Sequence, residues 1–165
     1  MNESFKMASI NWCCKQKEGI RLIEPNDNLA DGYIKMAENA LGTMNRERNY
    51  NQMFAISACY YSMYYSLYAI LMRIGIKCEI HTCTLEFMNV MLSDFYPIDY
   101  IRIIKKAFDA RNTAQYYVDK VVSKDDSDFI MAQAPLFLSK SKEVLSKINE
   151  KDIIEIRKKI ESFFV

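Results

Sequence analysis

Arg111 and Gln115 interrupt a helical stripe that is otherwise apolar. Between Ile98 and Val122, the residues Ile101, Ile104, Phe108, Arg111, Gln115 and Val118 recur every three or four positions, so they share one face. A guanidinium removed from water needs a carboxylate, carbonyls, a phosphate or a wet cleft. The string AFDARNTAQYY, Ala107 to Tyr117, therefore has two readings. Paired with Asp109, Glu86 or Asp31, Arg111 ties helices together in a purely structural interaction bundle. Unpaired, its planar fork suits phosphate oxygens or a charge that develops during a reaction.

Tyrosines crowd the segment before it. Tyr60, Tyr61, Tyr64, Tyr65 and Tyr68 share one helix, with Tyr50 at its start. Such rings supply packing area with a hydroxyl that reaches the edge. They also line polar-edged grooves and subunit faces, which makes Tyr61 and Tyr65 candidate contacts for a ligand or a second subunit. His81 is the single histidine, set in Cys78-Glu79-Ile80-His81-Thr82-Cys83. Two cysteines and a histidine could bind zinc, but no fourth ligand follows at a usual spacing, and no metal site is expected. The expectation for His81 is a loop residue hydrogen-bonding near a helix start. It becomes a general base only if the fold delivers it to Arg111. The chain holds no G-x-x-x-x-G-K-[ST], G-x-G-x-x-G, H-E-x-x-H or G-x-S-x-G, which disfavours an ordinary NTPase, Rossmann enzyme, zincin or serine hydrolase. No cofactor is expected.

The elements that must position these groups read as helices. A first helix is expected over Asn2 to Leu22, with Phe5, Ile10, Cys13, Cys14 and Ile20 as partial apolar contacts. A break at Glu24 to Asn28 offers Asp27 or Asn28 as a cap. The next helix spans Leu29 to Met44, and a third spans Tyr50 to Ile74. In the third, Phe54, Ala58, Tyr61, Tyr65, Tyr68 and Met72 form the stripe, and Cys59, Met63, Ile70 and Leu71 widen it. A helix this apolar belongs at the centre of a bundle. Gly75 ends it. Ile76 to Thr84 reads as a connector and Leu85 to Leu92 as a short helix. Pro97 marks the start of the Ile98–Val122 helix. Phe129 to Ile148 follows, kinked or restarted at Pro135, and Asn149 caps a last helix with Ile153, Ile156, Ile160 and Phe163 inward. The expected architecture is one all-α domain over residues 1–165, an antiparallel bundle of four to five main helices with short extra ones.

Bulk properties agree. Half of the 165 residues are hydrophobic, with four glycines and three prolines, which favours helices over a turn-rich β fold. A net charge of +1 gives no global attraction for nucleic acid, so any such site must be local. No apolar run approaches the ~20 residues of a membrane span, and the first residues lack a signal-peptide core, so the expected location is cytoplasmic. Five cysteines, two of them adjacent, read as small core residues in a reducing compartment rather than as a disulfide framework.

Three features taken together resemble the HEPN-domain (higher eukaryotes and prokaryotes nucleotide-binding) superfamily, in a little-characterised prokaryotic branch. They are the tyrosine-rich helix ACYYSMYYSLYAILMRIGI, the loop GIKCEIHTCT and the string AFDARNTAQYY. The likeness covers Asn28 to about Val122 well. It implies a helical bundle, commonly homodimeric, among RNA-cleaving toxins or partners of small nucleotidyltransferases. Nuclease members carry an arginine, often followed by a polar residue, then a histidine with four to six residues between. Arg111-Asn112 matches the first half, while Tyr116, Tyr117 and Val118 occupy the histidine positions. Tyrosine has a reference pKa of ~10 and is a poor base, where histidine titrates near neutrality. The resemblance thus implies Arg111, Asn112, Tyr117, Tyr61 and Tyr65 as RNA or nucleotide contacts. It also implies either a metal-independent ribonuclease using Arg111, Asn112 and Tyr116 in a dimer cleft, or a toxin-antitoxin component without catalysis of its own. In the second case Tyr116 or Tyr117 would receive a nucleotide from the partner.

Overall fold

A computed structural model describes residues 8–164. Among these residues, seven helices and one two-stranded ribbon follow in the order α1 (Ile10–Lys15), β1 (Arg21–Leu22), α2 (Asp27–Glu47), α3 (Gln52–Ile74), β2 (Ile76–Lys77), α4 (His81–Met91), α5 (Ile98–Tyr116), α6 (Lys124–Lys147) and α7 (Glu150–Glu161). The protein is all-α in class.

α3 is the axis. Seventeen of its residues are buried, from Ala55 to Ile74, on every side of the helix. α2 lies antiparallel along it: Asp27 pairs with Arg73, Tyr33 meets Tyr65 and Tyr68, and the Ser62 hydroxyl donates to Ala37 O at 2.9 Å. α6 runs parallel to α3, since Cys59 Sγ donates to Ile130 O and the Ser66 hydroxyl to Ser141 Oγ. Burial pushes the Cys59 thiol up to about 12, so it packs as a neutral small residue. α5 covers a further side through Phe108 and Arg111. Gly75 closes α3 in the left-handed region (φ 83°), and a Cβ there would lie 2.5 Å from Ile23 O and 2.3 Å from Arg157 Nη1. The same Arg157 nitrogen donates to the carbonyls of Ile23, Ile74 and Gly75, which anchors α7 across the end of α3.

Several boundaries differ from the sequence reading, each for a local reason. Asn26, not Asp27 or Asn28, caps α2 by accepting from Leu29 N. Asn51 caps α3, Ser123 caps α6, and Asn149 forms a full capping box on α7 as expected. With Ser123 as its cap, α6 starts at Lys124, five residues before Phe129, and continues through Pro135 without a break. Pro135 is exposed, so the turn it loosens faces water, where helices can curve outward. α5 stops at Tyr116 rather than Val122, and Val118 is fully exposed. The first helix covers only Ile10–Lys15. Asn2, Phe5 and the rest of residues 1–7 lie outside the described residues, and Arg21–Leu22 form an edge ribbon with Ile76–Lys77. α4 begins at His81, so the 76–84 connector is shorter than expected.

The cysteine expectation is overturned. Cys13 and Cys83 form a disulfide that joins α1 to the first turn of α4 across 70 residues of sequence, both sulfurs in the core. Cys14, Cys59 and Cys78 remain thiols. Cysteine parity and adjacency carry no hint of this, because the pairing depends on where α4 returns along α3. Closing a loop of that length removes chain entropy worth about 4 kcal/mol from the unfolded state. Reduction of the full chain, or Cys83→Ala, should therefore lower the melting temperature by about 10 °C in calorimetry. Identical melting with and without reductant would contradict the bond.

Candidate phosphate site around Arg111 and His81

The site is built from three elements that meet on one side of α3. Tyr60, Tyr61, Tyr64 and Tyr65 come from α3, His81 from the first residue of α4, and Arg111, Asn112 and Tyr116 from the last turns of α5. α3 presents tyrosines at positions 60, 64 and 68, so their rings climb one face. The chain leaving α3 at Gly75 folds back along that face. Tyr68 Oη accepts from Cys78 N at 3.1 Å, Tyr64 Oη lies 3.4 Å from Thr84 Oγ1, and Tyr60 Oη lies 2.6 Å from His81 Nδ1.

His81 is held by these rings. It stacks on Tyr64 with centroids 4.3 Å apart and planes 8° from parallel, and it stacks more distantly on Tyr60 and Phe108. Burial and then the nearby Arg111 charge lower its pKa to about 4, so the ring is neutral at physiological pH. Tyr60 is fully buried, and burial holds its phenol well above the ordinary value of 10.

Arg111 is half-buried. Nη2 donates to Tyr61 Oη at 2.8 Å and Nη1 to Asn112 Oδ1 at 2.8 Å. Its guanidinium carbon sits 5.7 Å from the Tyr60 ring centre and 5.4 Å from those of Tyr61 and Tyr116. Nε is buried and makes no hydrogen bond. None of the ion pairs among the described residues includes Arg111, so Asp109, Glu86 and Asp31 are not its partners. The cation is thus boxed by rings and neutral oxygens, with no anion among the described residues to balance it.

The remaining candidates fall around this box. Tyr65 is half-buried and stacks on Tyr61 at 5.4 Å. Tyr116 and Tyr117 are 66% and 47% exposed, so both hydroxyl-bearing rings are reachable from solvent. Lys120 Nζ lies over Tyr117 at 4.0 Å. Gln115, on the predicted stripe, is exposed. Tyr60 and Tyr64, absent from the sequence-derived candidates, are what position His81; their spacing of four was visible, but the return of the chain along α3 was not. A separate cavity of about 810 Å³ lies at the start of α3, lined by residues such as Arg48, Gln52, Val122 and Lys124, and contains none of the candidates. Among the described residues, no group of three His, Cys, Asp or Glu side chains is placed to hold a metal ion, and no helix is long and apolar enough to cross a membrane.

Against known proteins, the model of the HEPN domain matches residues 30–145, which spans α2 through most of α6 and every residue of the site. The chain belongs to the HEPN-domain family. It is also similar to a candidate toxin of the archaeon Methanocaldococcus jannaschii, 26% identical over 121 residues, covering 70% of this chain and 82% of that protein. This HEPN protein departs from the arginine-histidine spacing of nuclease members: its one histidine precedes Arg111 in the chain and comes from α4.

Two consequences are measurable. Because Arg111 balances no carboxylate, Arg111→Ala should leave the protein folded and cost only about 1 kcal/mol, roughly 3 °C in melting temperature. A loss of about 3–5 kcal/mol would instead indicate a buried ion pair. For His81 the folded pKa, about 4, lies below the ordinary 6.5. The unfolded chain therefore takes up the proton first, and stability should fall as pH drops from about 6.5 towards 4. His81→Gln should flatten that part of the profile; equal slopes in both proteins would contradict the buried neutral histidine.

Proposed function

We propose that this HEPN protein is a toxin-like, RNA-associated component whose Arg111 site receives a phosphate of RNA or of a nucleotide, and that it does not cleave RNA by itself. The observation that carries this reading is the uncompensated guanidinium. A half-buried cation with a buried, unpartnered Nε and two neutral hydrogen-bond partners is built to take an anion. Asn112 and Tyr61 hold the fork in place, and Tyr65, Tyr116 and Tyr117 offer ring faces for bases beside it. The likeness to a candidate archaeal toxin supports the biological class.

The active unit in this reading is a homodimer that works with an antitoxin or a small nucleotidyltransferase. With such a partner, the exposed hydroxyl of Tyr116 or Tyr117 would attack the α-phosphorus of ATP and release pyrophosphate, leaving a nucleotidyl-tyrosine that blocks the site. Cleavage is the second reading, and the arrival of His81 beside Arg111 favours it. Against it, a 2′-OH must lose a proton and the 5′-oxygen must gain one, and neither Tyr116 nor a buried neutral His81 is a matched acid–base pair.

One experiment separates the readings. Purified wild type and Arg111→Ala are mixed with labelled total RNA in EDTA, and binding and cleavage are read together. The expected result is binding by wild type, at least tenfold weaker in Arg111→Ala, with RNA intact. Cleavage by wild type alone would make the protein a metal-independent nuclease. Equal binding by both would remove Arg111 from the site.

A further inference from the structure

The hydrogen bond between Tyr60 and His81 has a direction that the burial of Tyr60 decides. Tyr60 is 0% exposed, and its hydroxyl meets one polar partner among the described residues, His81 Nδ1 at 2.6 Å. A buried O–H that donates to nothing is costly. If Nδ1 carried the proton, it would donate to the phenol oxygen, and the phenol proton would be left with no acceptor. The arrangement that satisfies both groups has Tyr60 donating and Nδ1 accepting, which places the ring proton on Nε2.

The other neighbours reinforce this choice. His81 packs against Tyr60, Tyr61 and Tyr64 of α3 and Phe108 of α5, and the charged group that acts on it is Arg111 of α5. Among the described residues, no carboxylate acts on it to hold a second proton. Nε2 makes no hydrogen bond among the described residues and is not one of the buried orphan atoms, so it is open to a ligand. His81 and Arg111 flank the same two rings, Tyr60 and Tyr61.

We propose that Tyr60 locks His81 as a neutral Nε2–H donor, and that this donor and the Arg111 guanidinium together recognise one phosphodiester group. The inference rests on the RNA reading above and names the chemistry of its ligand. One cation and one neutral donor match the single negative charge of an internal diester. A terminal monoester or free phosphate carries nearly two charges at neutral pH and would leave one unbalanced. His81 is then a recognition residue rather than the missing base, because its Nε2 already carries a proton, and Tyr60 is a positioning residue that acts through it.

The test uses the full chain labelled with nitrogen-15. With one histidine in the sequence, its ring signals need no assignment. In the free protein, Nδ1 should give an acceptor-type nitrogen shift and Nε2 a protonated one, both unchanged between about pH 8 and 5.5. Tyr60→Phe should mix the two tautomers. A short single-stranded oligoribonucleotide in EDTA should shift the Nε2–H signal, and inorganic phosphate at the same concentration should shift it far less. His81→Ala should weaken oligonucleotide binding about tenfold, and Tyr60→Phe about twofold, since half its histidines would lack the donor.

A proton on Nδ1, or titration near the ordinary histidine value in the free wild type, would overturn the tyrosine lock. The expected tautomer with an Nε2–H that ignores bound oligonucleotide, or a preference for inorganic phosphate, would overturn the diester assignment. Failure to bind any oligonucleotide would instead fall on the RNA reading, while the free-protein spectrum still decides the tautomer.

Discussion

Every tyrosine hydroxyl buried along α3 has to be satisfied, and the placement of the neighbouring elements follows from that need. A phenol with its ring in the core can keep its area buried only if its oxygen reaches a partner. On α3 the oxygens of Tyr60, Tyr64 and Tyr68 meet His81, Thr84 and the Cys78 amide, all within one short segment. The oxygen of Tyr61, one residue round the helix, meets Arg111 on α5. One helix thus fixes both sides of the site. The Cys13–Cys83 bond then holds the first turn of α4 from outside, two residues from His81.

The same packing sets the electrostatics. Rings surround the guanidinium of Arg111 and accept it through their faces and one hydroxyl, which tolerates the charge without cancelling it. A carboxylate in that place would have made a structural pair, and the nearby acids are held elsewhere or left alone. Burial keeps His81 neutral beside this cation, so the two do not repel. The result is a site with one net positive charge in a partly dry, aromatic setting, where a hydrogen bond to an anion counts for more than in water. Burial lowers the His81 pKa to about 4, which makes its ring a weak base at neutral pH.

Much of the bundle was legible in the sequence because it depends on local period and caps. The apolar breadth of α3 announced a central helix, Gly75 its end, and Asn149 the last cap. Arg111 stood out because it broke a stripe. Other features depended on contacts between distant residues. The Cys13–Cys83 pairing, the ribbon between Arg21–Leu22 and Ile76–Lys77, and the delivery of His81 to Tyr60 all arise from the chain turning back after Gly75. The extension of α6 through Pro135 depends on that residue facing water, which periodicity does not reveal. The carboxylate partners expected for Arg111 were reasonable by proximity in sequence. They fail because Asp109 and Glu86 sit near Lys105 instead.

The central claim is that the Arg111 cation is completed by a ligand phosphate and not by the protein. A crystal structure of the full chain with a bound single-stranded oligoribonucleotide tests it most directly. The account predicts a diester oxygen within hydrogen-bond distance of the Arg111 guanidinium, with His81 Nε2 donating to the same phosphate. An Arg111 that instead pairs with a carboxylate, from this chain or from a second copy, while the RNA lies elsewhere, would contradict it.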